Sequence, residues 1–102
     1  MSTGATGSKS ATIAKIKIDK PRMYKVILLN DDYTTMDFVV EVIIKIFHKT
    51  TEEAENIMHM VHQQGKGVVG TYTYDIAITK SLQVQEMAKQ KEFPLKSIVE
   101  EV

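Results

Sequence analysis

The stretch that most restricts this chain runs from Tyr24 to Phe47, where one hydrophobic rhythm gives way to another. Residues 24–29, "YKVILL", form an unbroken β-branched and apolar run of strand length. The run stops at Asn30-Asp31-Asp32. After Tyr33 and two threonines the apolar residues return at helical spacing, as Met36, Val39, Val40, Ile43 and Phe47. A strand therefore feeds a helix across a very short connection. Short polar side chains collect at such junctions because they satisfy N–H groups that the first helical turn leaves unpaired. One cap needs one residue, and Asn30, Asp31, Asp32, Thr34 and Thr35 offer five, beside the large amphipathic ring of Tyr33. Thr34 or Thr35 is expected to cap the helix, with Asp37 in the first turn where a carboxylate suits the helix dipole.

The rest of the chain continues the alternation. Thr50-x-x-Glu53 is a capping box that opens a second helix through Ala54, Ile57, Met58 and Val61, and Gly65 stops it. Residues 68–72, bracketed by glycines, predict a second strand. Thr73 or Asp75 is expected to cap a third helix reaching about Glu92, with Ile76, Val84, Met87 and Ala88 on its inner side; Pro94 ends it, and residues 95–99 predict a short final strand. The order β-α-α-β-α-β implies an α+β fold: a small three-stranded, mainly antiparallel sheet with three helices packed on one face. Residues 1–20 are rich in Ser, Thr, Gly, Ala and Lys, with four lysines against Asp19, which is the composition of a flexible tail preceding one domain over residues 21–102.

Thirteen basic residues balance thirteen acidic ones, which removes the footprint of a nucleic-acid binder. Without cysteine there is no disulfide, thiolate nucleophile or zinc-thiolate site. No apolar run is long enough to span a membrane, and no apolar segment of a signal peptide follows Met1, so a soluble cytoplasmic protein is expected.

Two constellations can carry chemistry. His59 and His62, three apart on the second helix, can share a ligand with Asp31 and Asp32, which suggests a divalent-metal hydrolase. The chain lacks H-E-x-x-H, G-x-S-x-G and a Walker loop, so this enzyme reading has little beyond spacing behind it. The second constellation places Met58, Val61 and His62 on one helix face. His62 is then either a core histidine bonded to a carbonyl, or part of a polar rim with Asn30 and Asp31 above methionine and valine walls. Met36 and Met58 are likewise either core filling or pocket wall. Such a pocket holds a cation next to an apolar group. A structural or ribosome-associated domain is a third reading, since fold does not fix function.

The segments "YKVILLNDDYTTMDFVVEVI", "VHQQGKGVVGTYTYDIAITK" and "FPL", in this order and at these separations, resemble the ClpS family, adaptors that deliver substrates of the N-end rule to the ClpAP protease. The resemblance runs from about Pro21 to Glu101. It implies a non-catalytic adaptor, without cofactor or metal, that captures proteins beginning with Leu, Phe, Tyr or Trp. It further implies that Asn30, Asp31 and His62 bind the α-amino group and first peptide unit. Thr34, Met36, Val39, Met58, Val61 and Leu95 would line the side-chain pocket, Met36 standing where a β-branched residue collides with it. Asp32 belongs to the motif without an implied ligand contact. Asp75 and Lys80 fall at positions that dock on the N-terminal domain of a ClpA-type unfoldase, and the tail would serve delivery. Thr35 replaces a proline common in the motif, which threonine can offset by capping. Ile78 stands where some relatives are acidic.

Overall fold

The computed structural model describes residues 20–102; the segment expected as a tail lies, but for its last residue, outside the described residues. The elements are β1 (Met23–Leu29), α1 (Met36–Phe47), α2 (Thr51–Gln64), β2 (Lys66–Thr73), α3 (Tyr74–Gln90) and β3 (Lys96–Glu101). β1 lies in the middle of the sheet, in the order β2-β1-β3, and pairs antiparallel with both neighbours. The expected order and α+β class are thus present, with strand ends within about two residues of those read from the sequence.

Alternation along the central strand sends Val26 and Leu28 into the core shared with the helices, both fully buried. The pairing of β1 with β2 shifts between Val26 and Ile27, so Val69 is an extra residue on β2, and it too is buried. From the helices the core takes Phe38, Val42, Ile43 and Ile46 of α1, Ala54, Met58 and Val61 of α2, and Ala77, Val84 and Ala88 of α3. Phe38 meets Phe93 with ring centroids 4.9 Å apart.

The caps follow the local rules. Thr35, not Thr34, is the N-cap of α1, its hydroxyl accepting from Phe38 N at 3.2 Å. Thr50 and Glu53 close the capping box, and Gly65 ends α2 at φ 87°, a left-handed conformation that glycine adopts without a Cβ penalty. Thr73 precedes α3 but makes no side-chain capping bond.

Helix α3 departs from expectation. Its buried stripe is Ala77, Ser81, Val84 and Ala88, while Ile76 is 48% exposed and Met87 only half-buried. Three of these four stripe residues are small, and small side chains let α3 approach β3 closely. The hydroxyls of Ser81 and Ser97 meet there at 2.5 Å, so neither is left unpaired. Hydrophobicity alone selects large residues and misses such a stripe. No helix among the described residues is long and apolar enough to cross a membrane.

Candidate functional site

Three chain segments converge at the C-terminal end of β1. The loop from Asn30 to Thr35 leaves the strand, α1 begins beside it, and the last turns of α2 lie across from it. One backbone bond joins the first and last of these: Asn30 N donates to the Gly65 carbonyl at 2.9 Å. Behind the junction Gly67 lets β2 run close under α2, since a Cβ there would stand 2.9 Å from Val61 Cγ2.

The convergence leaves a cavity of about 240 Å³ lined by Asn30, Asp31, Asp32, Thr34, Met36, Val39, Met58, Val61 and His62. Pockets for drug-sized ligands run to roughly 300–1,000 Å³, so this one is scaled to a single side chain. Val39, Met58 and Val61 are core residues that show one edge to it, and Met36, 43% exposed, stands at its mouth. His62 is exposed on this rim and is not a core histidine. Leu95, expected in the wall, is absent from the lining; it is 4% exposed and belongs to the core cluster. Asp32, for which no contact was implied, does line the cavity.

Asp31 is the fixed point of the rim. Its Oδ1 accepts from Tyr33 N at 2.8 Å and Thr34 N at 2.7 Å, and its Oδ2 accepts from the Thr34 hydroxyl at 2.7 Å. Partial burial by itself pushes the Asp31 pKa up, but the bonds from Thr34 and Tyr33 together outweigh it and hold the carboxyl below the usual 3.8. The carboxylate is therefore anionic at neutral pH. The sequence reads these residues as spare caps; here Asp31 organises the loop and Thr35 caps the helix, so the surplus divides into separate tasks.

The alternative metal constellation is not assembled. His59 is exposed and does not line the cavity with His62 and Asp31, and no three histidine, aspartate or glutamate side chains converge among the described residues. Asp75 and Lys80 lie on α3, away from the cavity lining. Asp75 is exposed in the first turn, whereas Lys80 is half-buried, donating to the Ile46 carbonyl at 2.8 Å with its ammonium 5.7 Å from the Phe47 ring centroid and 5.4 Å from that of Tyr72.

Fold and cavity together define a small α+β recognition domain, able to seat one apolar side chain beneath a fixed negative charge. Residues 19–98 match the family described as ATP-dependent Clp protease adaptor protein ClpS. The ClpS adapter protein of Acetivibrio thermocellus is 61% identical over 85 residues, covering 83% of this chain and 86% of its own. That of Wolinella succinogenes is 52% identical over 99 residues, covering 95% and 97%. A solved structure of Agrobacterium tumefaciens ClpS2 bound to L-phenylalaninamide superposes with a TM-score of 0.79 at 36% identity, over 81% of this chain and all of that one. The chain belongs to the ClpS family and is a non-catalytic adaptor of the Clp protease.

Proposed function

We propose that the β1–α1 cavity captures the first residue of proteins that begin with Leu, Phe, Tyr or Trp, and that the adaptor hands them, in the cytoplasm, to a ClpA-type unfoldase for degradation. The observation that carries this reading is a carboxylate held anionic at the mouth of a cavity with methionine and valine walls. An N-terminal bulky residue presents the complement: an apolar side chain and an ammonium group on the same Cα. Asn30, Asp31 and His62 receive the amine and first peptide unit, and Thr34, Met36, Val39, Met58 and Val61 receive the side chain. Phenylalaninamide, the ligand of the Agrobacterium relative, has the same two parts. Charge-assisted hydrogen bonds are roughly twice as strong as neutral ones, so a free amine is required.

In this reading residues 21–102 form the capture domain, residues 1–20 serve delivery, and Asp75 and Lys80 belong to the surface that meets the unfoldase. The test is binding of a peptide set differing only in the first residue, each with a free and an acetylated terminus. Free-amine Leu, Phe, Tyr and Trp peptides should bind and their acetylated forms should not; equal affinity for both forms would overturn the assignment. Deleting residues 1–20 should preserve peptide affinity and stop degradation of a model substrate.

A further inference from the structure

The sheet has a second face, and none of its residues lines the capture cavity. Val26 and Leu28 point into the helical core, so by alternation Lys25, Ile27 and Leu29 point the other way. Strand pairing arranges that face in rows. Leu29 lies between Lys66 and Lys96, Ile27 between Val68 and Ile98, and Lys25 between Thr71 and Glu100. We propose that this face docks an acidic amphipathic helix of another protein, whose apolar stripe covers the middle row and whose carboxylates meet Lys66 and Lys96.

Shape sets the size of the partner. The middle row is apolar and partly open: Val68 is 43% exposed and Ile98 half-buried, with Ile27 closed in between them. Met60 and Gln64 reach this side from α2, and with Lys25, Ile27 and Val68 they border a hollow of about 190 Å³, room for one side chain. Three strands spaced roughly 4.8 Å apart make a row about 10 Å wide, which is the diameter of one helix. The seven residues of β1 run for about 23 Å, a length that a helix of about 15 residues matches. Covering a sheet face with a helix is the ordinary way to bury it.

Charge sets its chemistry. Basic and acidic residues balance over the whole chain, yet this face carries Lys25, Lys66 and Lys96 against Glu100. Lys25 stands 4.0 Å from Glu100, whereas Lys66 and Lys96 make no ion pair among the described residues. Both are exposed, and they share one row at one end of the apolar floor. A second copy of this chain would bring the same excess of lysine against it, and residues 1–20, with four lysines against Asp19, are repelled in the same way. An acidic helix is the complement, and with its C-terminal end over the lysine row its dipole adds to its carboxylates. Anionic lipid matches the charge but not the surface, because the central Ile27 is 2% exposed and cannot insert between lipid chains.

The probe is a helical peptide of about 15 residues, acetylated at its N-terminus, with leucines on one face and glutamates flanking them. Its counterpart carries lysine in place of each glutamate. Titrated into the isotope-labelled full chain and followed by NMR, the glutamate peptide should shift the amides of Leu29, Lys66, Val68, Lys96 and Ile98, and the lysine peptide should leave them in place. Reversing both charges, Lys66→Glu with Lys96→Glu, should weaken the glutamate peptide at least about tenfold, and Val68→Ser about threefold. Binding of a free-amine Leu peptide should be the same in these variants as in the native protein, which separates this face from the capture cavity. Equal binding of the two helical peptides, or glutamate-peptide affinity that survives the double reversal, overturns the proposal. Shifts centred on Asp31 and His62 overturn it by placing the peptide in the cavity. Sedimentation with phosphatidylglycerol vesicles, while the glutamate peptide shifts nothing, overturns it in favour of a membrane surface.

Discussion

Two regions of this molecule hold their polar groups in place by opposite means. At the β1–α1 junction, every bond that fixes Asp31 comes from Tyr33 or Thr34, within three residues of it. On α3, the ammonium of Lys80 is held by a carbonyl 34 positions earlier and by two rings from α1 and β2. The first arrangement leaves a charge oriented outward over a cavity. The second turns a charge inward, so Lys80 ties α3 to the end of α1. Holding a charge at a cavity rim and bracing one element against another are thus done by separate means in this fold.

The largest effect that sharpens the contrast is expected at Asp31. Asp31→Asn keeps an acceptor for the loop but loses the charge, so peptide affinity should fall at least about tenfold, ~1.4 kcal/mol, with little change in melting temperature. Asp31→Ala should lose affinity and, in addition, about 1–3 kcal/mol of stability, since three donors lose their acceptor. If Asn and Ala variants melt alike, the loop does not depend on Asp31 as described.

Gly67→Ala is expected to come next. Its Cβ would press on the stiff Val61 side chain, costing about 1–3 kcal/mol in chemical denaturation and displacing a cavity wall, so peptide affinity should fall too. A smaller change is expected at Lys80. Lys80→Met keeps the aliphatic stem and removes the ammonium, which should cost about 1 kcal/mol while leaving peptide affinity unaltered. Peptide affinity that falls in step with stability would break the separation between the two regions.

The smallest effect is in pH. The Asp31 pKa is lowered in the folded protein, so the stability it contributes is complete above the ordinary value of 3.8 and is lost as pH falls through the lower folded value. The stability difference between the native protein and Asp31→Ala should therefore be flat from pH 7 to about 4 and narrow only below. Denaturation curves at stepped pH measure it, and a difference already fading near pH 6 would assign the effect to another group.

The same contrast explains what could be read from the sequence. The capping box at Thr50 and Glu53, the Gly65 stop and the polar surplus after β1 are written in neighbouring residues, and all were legible. What depends on distant partners was not. The inward face of α3 is set by how near the sheet comes, which makes Ala77 and Ser81 core and leaves Ile76 outside. Leu95 was expected in the cavity wall through resemblance, but is buried in the core cluster without lining the cavity. Asp32 also borders a second hollow beyond the loop, completed by Pro94 and Lys96 from the far end of the chain, which no local reading of the loop could place.

The bond from Asn30 N to the Gly65 carbonyl has a consequence in time. It clasps the strand end to the helix end that carries His62, so the two sides of the rim are held together by the fold itself. A site of that kind needs only encounter and orientation to fill, for which rate constants of about 10⁵–10⁷ M⁻¹s⁻¹ are ordinary. Discrimination among first residues should then appear almost wholly as differences in dwell time. A protein that must pass its cargo onward gains from that division, because a prompt arrival rate is common to every client while the departure rate is set by the client itself.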